Sequence, residues 1–187
     1  MKQVICTGLA VLDHVFQLPN IPKVPIKCFA SNYLQVGGGN AATAAVALKR
    51  AGGKAIFWGR LGDDRNGDLI LDELKELGVD VNDVLRQQGV KSGVSSVLID
   101  SAGERLITNY NDQKLISNAD WLPIERIKES NAVLVDLRWH EGAIKTLRKA
   151  RGLGIPAVLD ADLTPEGLNE DVIGSATHVI FSQPALK

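Results

Sequence analysis

The residues with the clearest potential for chemistry in this chain surround one glycine run, Gly37, Gly38 and Gly39, which Asn40 follows directly. Glycine loses more backbone entropy on folding than any other residue, so three in a row need a local reason. A backbone without side chains lets a ligand approach closely, and free N–H groups at a helix start can donate to ligand oxygens. Asn40 can cap that helix and present an amide outward. A tight turn with a helix cap is the alternative interpretation.

Two charged residues stand at the ends of apolar stretches. Asp13 follows the first predicted strand, "QVICTGL", and a carboxylate there can accept two O–H donors at once; a turn cap is the alternative. Arg138 follows the apolar run "AVLVDL". A cation at the carboxyl end of a buried strand faces the crevice of an α/β sheet, and its desolvation requires an anion. A salt bridge to Glu141 or Asp136 is the alternative for Arg138.

Two pairs of acidic residues are candidates for quite different roles. Asp160 and Asp162 end the apolar stretch "PAVLDAD" at the same predicted rim, where they could contact magnesium through water. Asp63 and Asp64 precede the helical pattern "NGDLILDELKELG" and are interpreted as turn and helix-cap residues. The first pair therefore belongs to the candidate site, and the second pair belongs to the scaffold.

Strand and helix periods alternate along the chain and predict an α/β fold. The parallel sheet carries helices on both faces, because strands separated by helices form right-handed parallel units. Segment 14–36 and a hairpin at 93–110 do not fit this sheet and together predict a small β-layer over its carboxyl edge, where α/β sheets bind ligands. We call that layer a lid. The helices predicted in the second half cover 119–129, 141–152 and 165–174.

Composition excludes several classes of protein. The 187 residues are 45% hydrophobic and 23% charged with a net charge of −1, which argues against nucleic-acid binding through bulk charge. No apolar run approaches the roughly 18 residues of a membrane helix, so no membrane partner is expected. Cys6 and Cys28 lack ligand spacing and predict reduced thiols in a cytoplasmic protein. The glycine spacing matches neither the dinucleotide-binding nor the P-loop motif.

The stretch "GGGNAATAAVALKRAGGKAIFWGRLGDDRNG" resembles the first signature region of the ribokinase-like (PfkB) carbohydrate kinases. The resemblance covers the whole chain and implies a doubly wound, mainly parallel sheet with a β-lid. It also implies transfer of a phosphoryl group from ATP, with Mg²⁺, to a sugar hydroxyl, and a homodimer formed through the lid. The run Gly37–Asn40 and Asp13 would then bind the sugar.

The family's second signature, Gly-Ala-Gly-Asp, is absent before Lys187. Its aspartate is the family's general base, so no catalytic residue is expected within 1–187. These residues are interpreted as the N-terminal portion of one kinase domain whose C-terminal part is absent from the chain. Many relatives also carry Asn-x-x-Glu where "SQPA" stands at 182–185, which leaves metal binding by that motif unsupported.

Within the family, "NYLQVGGGNAATAAVA", "GERLITNY", "VDLRWHEG" and "FSQPALK" are similar to stretches of bacterial sulfofructose kinases. That subfamily binds the sulfonate of its ketohexose with a lysine, an asparagine and an arginine, and Lys27, Asn109 and Arg138 fall at the matching positions. The resemblance therefore implies phosphorylation of 6-deoxy-6-sulfofructose to its 1-phosphate. Other kinases of the family (fructokinase, ribokinase, nucleoside kinase) and a non-catalytic sugar-binding module remain alternatives.

Overall fold

A six-stranded sheet carries most of the core in this computed structural model, which describes residues 1–164 and 167–186. Every pairing in the sheet is parallel, and the strand order is β10-β9-β8-β1-β4-β5. This confirms the parallel α/β architecture predicted from the alternating periods. The strands are β1 (Gln3–Gly8), β4 (Lys54–Gly62), β5 (Leu85–Gln87), β8 (Ala132–Asp136), β9 (Ala157–Ala161) and β10 (His178–Phe181).

Helices cover both faces of this sheet, because neighbouring residues of a buried strand point to opposite sides. Ile5 belongs to the core cluster packed with α3 and α4, and Cys6 belongs to the cluster packed with α1 and α2. Each face is apolar, as in doubly wound folds. The helices are α1 (Asn40–Arg50), α2 (Arg65–Glu76), α3 (His140–Gly152) and α4 (Glu170–Ser175), with 3₁₀ helices at Ile124–Glu129 and Gln183–Leu186.

A second sheet of four strands lies outside the parallel one, in the order β3-β2-β6-β7. Its strands are β2 (Val11–Gln17), β3 (Asn32–Gly38), β6 (Gly93–Ile99) and β7 (Arg105–Tyr110). Only β2 and β6 pair in parallel. We call this the small sheet. Strand β2 begins before residue 14 and β3 ends after residue 36, so the small sheet itself includes Asp13, Gly37 and Gly38.

Two of the predicted helices differ from the structure. The predicted helix 119–129 is a turn followed by a 3₁₀ helix, and Pro123 stands directly before its first residue. Proline disfavours helical geometry in the residue before it, which explains why no longer helix forms there. In the predicted helix 165–174, α4 begins only at Glu170, and residues 165 and 166 lie outside the described part. Among the described residues, no helix combines the length and apolar character that crossing a membrane requires.

Candidate functional site

One cavity of about 470 Å³ gathers most of the residues that the sequence singled out. It lies where the end of β3 meets the first turns of α1, and the tip of β9 closes one side. The glycine run therefore does line an open space large enough for a small ligand. The lining residues are Asp13, Gly37, Gly38, Gly39, Asn40, Thr43, Ala44, Ala47 and Asp160.

Packing within the chain already explains two of the glycines. A Cβ atom on Gly38 would lie 2.1 Å from Asp13 Oδ2. Gly39 adopts a φ of 93°, and a Cβ atom there would lie 2.5 Å from the carbonyl oxygen of Leu9. Side chains rarely tolerate either situation, so both positions need glycine even without a ligand. Gly37 is tied differently, because its N–H donates to Glu73 Oε2 at 2.6 Å.

The start of α1 is more fully satisfied than the sequence predicted. The N–H of Ala41 donates to Asp136 Oδ2 at 3.0 Å, and the N–H of Ala42 donates to the carbonyl of Leu9 at 3.2 Å. These two groups are therefore not free for a ligand, contrary to the expectation. The prediction that Asn40 caps the helix is also wrong, because Gly39 is the N-cap residue and no side chain caps it. The Asn40 amide donates instead to Asp160 Oδ2 at 2.9 Å.

Asp136, which the sequence analysis had weighed only as a partner for Arg138, organises the rim. It is 1% exposed at the end of β8, and its carboxylate accepts N–H groups of Leu9 (2.8 Å), Ala41 (3.0 Å) and Arg138 (2.9 Å). Burial raises the pKa of Asp136, although the same three N–H donors oppose that rise. Asp136 therefore fixes the relative positions of the loop after β1, the start of α1 and Arg138.

A second cavity of about 270 Å³ lies beside this rim and contains Arg138. Among the described residues Arg138 forms no salt bridge, so the predicted pairing with Glu141 or Asp136 through its guanidinium is not observed. Its hydrogen bond to Asp136 is made by its backbone N–H. The lining residues are Leu9, Arg60, Asn111, Asp112, Gln113, Leu115, Ser117 and Arg138.

The other two residues predicted to read an anion lie on the small sheet and its loop. Asn109 shares a row across the sheet with Ser95 and Asp13, so these three side chains leave the same face. Lys27 is exposed in the loop between β2 and β3, with its Nζ 5.8 Å from the ring centroid of Phe29. Within the described ranges no hydrogen bond joins Lys27, Asn109 and Arg138, so their convergence stays a prediction.

The candidate magnesium ligands are engaged in hydrogen bonds. Asp160 accepts the Asn40 amide, and Asp162 Oδ1 accepts the Ser182 hydroxyl at 2.7 Å. Burial raises the pKa of Asp162, but the Ser182 hydroxyl, the Leu163 N–H and the Arg138 charge outweigh it and leave the pKa below its usual value. In the part of the chain that the structure covers, no three metal-ligating side chains cluster. A metal role for Asp160 and Asp162 therefore stays a prediction.

The motif "GRLGDD" has a structural explanation that fits the sequence interpretation. Asp64 is the N-cap of α2 and accepts the Gly67 N–H at 2.9 Å. It also accepts the hydroxyl of Ser92 at 2.6 Å and the N–H of Ser92 at 3.0 Å. Arg86 bridges the same turn by binding Asp68 at 2.8 Å. Asp64 thus anchors the segment before β6 to the start of α2.

Comparison with known proteins identifies relatives in sequence and solved structures of the same fold. The chain is 32% identical over 129 residues to fructokinase-1 of Zea mays, a match that covers 68% of this chain and 39% of the relative. It is similar to a candidate ribokinase of Agrobacterium tumefaciens at 42% identity and a TM-score of 0.90, covering 98% of this chain and 60% of that one. An Arabidopsis thaliana ribokinase complexed with ribose and ATP shares the fold at 21% identity and a TM-score of 0.74, covering 99% of this chain and 61% of that one.

The chain thus spans about two fifths of the length of the curated relative and 60% of the similar solved chain. A family model for pfkB family carbohydrate kinases matches residues 1–146, which include the first signature stretch at 37–67, the small sheet and the rim at Asp136 and Arg138. The chain therefore belongs to the PfkB family of carbohydrate kinases.

Proposed function

We propose that the protein containing this chain transfers a phosphoryl group from ATP to a hydroxyl of a ketohexose-type sugar. The observation that carries the proposal is the cavity in which Asp13 and the glycine run face one open space, within a chain of the PfkB family. The fructokinase name of the maize relative favours a ketohexose. The ATP in the Arabidopsis ribokinase structure, a protein of the same fold, is consistent with the phosphoryl donor.

In this proposal each residue of the first cavity has a defined task. The Asp13 carboxylate accepts hydrogen bonds from two sugar hydroxyls, since it lies beside Gly38 with no side chain between it and the open space. The glycine run lets the sugar lie against the backbone. Asn40, already oriented by Asp160, retains an amide oxygen that can accept a further sugar hydroxyl. Positioning of this kind is the main contribution of a binding site to phosphoryl transfer.

The finer proposal is that the sugar carries an anionic group, with 6-deoxy-6-sulfofructose, converted to its 1-phosphate, as the candidate substrate. Arg138, Lys27 and Asn109 would bind the anion. Arg138 favours this proposal because it lines a cavity and forms no salt bridge among the described residues. Asn109 shares its sheet face with Asp13, so one ligand could contact both residues.

Three further parts of the proposal concern the whole protein. The small sheet would close over the sugar as a lid, since its Asp13 face borders the first cavity. Two copies would associate through the small sheet. Magnesium would accompany ATP, but the described residues offer no cluster of ligands for it, so no step is assigned to the metal. A cytoplasmic location stays a prediction from the sequence.

The test is a phosphorylation assay of the full-length protein with ATP and five acceptors: fructose, ribose, fructose 6-phosphate, sulfofructose and a nucleoside. Phosphorylation of a ketohexose with a higher kcat/KM than ribose supports the proposal. A preference for sulfofructose over fructose supports its finer form. Nucleosides as the best acceptors would contradict the substrate class, and sugar binding without any phosphorylation would favour the non-catalytic module.

A further inference from the structure

Arg60 is a cation that neither the sequence motifs nor the proposed sugar contacts explain. It lies near the end of β4 and lines the second cavity together with Arg138. Its Nη1 donates to the carbonyl of Ile116 at 2.5 Å and its Nη2 to the carbonyl of Arg138 at 3.4 Å. Its Nε is buried and has no partner in the part of the chain that the structure describes. A buried donor left unpaired is costly, so the position needs a reason.

The guanidinium of Arg60 is held in place by stacking. Its Cζ lies 4.5 Å from the ring centroid of Trp139, and Trp139 stacks on Trp121 with the centroids 5.5 Å apart. Trp139 is 2% exposed and donates through its indole N–H to the carbonyl of Ser117 at 2.6 Å. The plane beneath Arg60 is therefore rigid, so this cavity-lining side chain has little rotamer entropy to lose on binding.

The residues that line this cavity include two cations, Arg60 and Arg138, and one carboxylate, Asp112. Within the described residues, no carboxylate forms a salt bridge with Arg60 or Arg138. Burial lowers the pKa of Arg60 to about 10, with Asp136 and Glu141 opposing the shift, so the side chain stays charged at neutral pH. Asp112 lines the same cavity, but its carboxylate accepts the N–H groups of Lys91 and Lys114, both at 3.0 Å.

We propose that this second cavity binds the anionic group of the sugar and that Arg60 is a second cation for it beside Arg138. The inference rests on the proposed function and specifies the residues that recognise the anion. The Arg138 guanidinium can supply paired donors for a tetrahedral sulfonate or phosphate, and Arg60 adds the Nη N–H groups that its two carbonyl contacts leave unused. Asn111, Gln113 and Ser117 on the cavity wall offer neutral donors for a remaining oxygen.

The two cavities border the same short segment of chain, which permits one ligand to reach both. Leu9 lines the second cavity, and its carbonyl accepts the Ala42 N–H at the start of α1 beside the first cavity. Asp136 accepts hydrogen bonds from the backbone N–H groups of Leu9, Ala41 and Arg138. It therefore holds together the segments that border the two cavities. A sugar with hydroxyls at Asp13 and an anion at Arg138 and Arg60 would span that segment.

The experiment titrates the full-length protein with sodium sulfate, then with sodium phosphate, at constant ionic strength, and follows tryptophan fluorescence and binding heat. Trp139 under Arg60 makes the fluorescence a local readout that does not require catalysis. We compare Arg60→Met and Arg138→Met with Arg65→Met, a control for the exposed arginine at the start of α2. Methionine keeps an apolar stem over Trp139 and removes the charge.

Saturable sulfate binding that weakens at least tenfold in both Arg60→Met and Arg138→Met, but not in Arg65→Met, supports the cavity. The ratio of kcat/KM for fructose 6-phosphate over fructose should also fall about tenfold in Arg60→Met. Equal losses for both sugars, or sulfate affinity that survives both substitutions, would overturn the inference. If Arg60→Met does not fold, the Arg138→Met titration still tests the cavity, and Arg60→Lys, which keeps the charge but removes the guanidinium, tests Arg60: unchanged sulfate affinity in Arg60→Lys would overturn its role as a guanidinium donor.

Three further outcomes separate this inference from the proposed function. A tenfold loss of ATP affinity without sugar in Arg60→Met would assign the cavity to the nucleotide and overturn the inference. Sulfate binding lost in both variants of a protein that phosphorylates none of the sugars would support the anion site and contradict the kinase proposal. Sugar phosphorylation without any sulfate or phosphate binding would support the kinase proposal and contradict the anion site.

Discussion

At the scale of single residues, Asp13 is the side chain on which the proposed sugar contacts depend. Replacing it with asparagine keeps the shape and removes the charge, so two O–H donors would lose a charged acceptor. We expect Asp13→Asn to lower kcat/KM of the full-length enzyme for its sugar by the equivalent of about 2–3 kcal/mol, the scale of hydrogen bonds to a charged group. Steady-state kinetics measures this, with thermal unfolding to show that the fold is retained. Unaltered kinetics would remove Asp13 from the site.

The close contact between Asp13 and Gly38 allows a second prediction, on stability. A Cβ atom on Gly38 would meet Asp13 Oδ2 at 2.1 Å, so Gly38→Ala should lower the free energy of unfolding by about 1–3 kcal/mol. The cost should shrink in an Asp13→Ala background, where the colliding carboxylate is gone. Gly39→Ala is the matched control, because its Cβ meets the Leu9 backbone and its φ of 93° stays unfavourable in both backgrounds. Urea unfolding of the single and double variants measures these energies.

An equal cost of Gly38→Ala in both backgrounds would show that the glycine is not required by Asp13.

The sequence predicted only part of the arrangement around the glycine run. The glycine run predicted a close approach to the backbone, and in the structure groups of the chain itself, Asp13 and the Leu9 backbone, make that approach. The sequence could not identify these groups, because Asp13 is distant from Gly38 in sequence and comes close to it through the pairing of β2 with β3.

At the scale of elements, the N-terminus of α2 depends on Asp64. Burial raises the pKa of Asp64, but hydrogen bonds from Ser92 and Gly67 and the charge of Arg86 outweigh it, so the pKa lies below the usual 3.8. The ionised carboxylate therefore stabilises the fold above pH 3.8, and the contribution is lost as the pH falls through the lowered pKa. Asp64→Ala should cost about 0.5–2 kcal/mol at pH 7, in line with the loss of an N-cap.

The pH dependence of the free energy of unfolding distinguishes capping by the ionised Asp64 carboxylate from simple packing. The difference in unfolding free energy between Asp64→Ala and the unmutated protein should narrow as the pH falls below 3.8. Urea unfolding at a series of pH values measures this difference. Asp63→Ala is the control, because the N-cap of α2 is Asp64 and the Asp63 carboxylate contacts Arg86 at 3.5 Å. A difference that is constant with pH would contradict the proposed ionic contribution.

Elements whose determinants are local were readable from the sequence. Asp64 lies three residues before Gly67, whose N–H donates to the Asp64 carboxylate, so the motif alone indicated the cap. The α/β alternation was equally readable, because each strand and helix carries its own hydrophobic period. Asp136 was not readable as an organiser, since two of its partners, Leu9 and Ala41, are 127 and 95 residues away. Arg60 was missed for the same reason, because its partners lie in separate loops.

At the scale of the whole molecule, the small sheet lines the first cavity and leads into the second through the segment after β7. It also presents a surface to other molecules. One face carries Asp13, Ser95 and Asn109 and belongs to the proposed sugar site. The segment that follows β7 enters the second cavity at Asn111. Movement of the small sheet would therefore change both cavities together, which is what closure over a sugar with an anionic end requires.

The opposite face of the small sheet carries a row of apolar side chains. Phe16 pairs with Tyr33 and Leu98, and Leu98 pairs with Leu106, so all four leave the same face. At the two edges, Tyr33 is 51% exposed and Leu106 is 49% exposed. A contiguous exposed apolar row of this kind is typical of a surface that binds another protein. It supports the proposal that two copies associate here.

Leu106→Glu tests this proposal without touching the face that carries Asp13. A charge in the middle of an apolar contact is costly to bury, so we expect the dimer of the full-length protein to weaken at least tenfold. Sedimentation velocity over a range of protein concentrations measures the dissociation constant. Leu153→Glu is the control, since Leu153 is 45% exposed at the end of α3, on an element outside the small sheet. A dimer that is weakened equally by both substitutions, or an unmutated protein that sediments as a monomer throughout, would contradict association through this face.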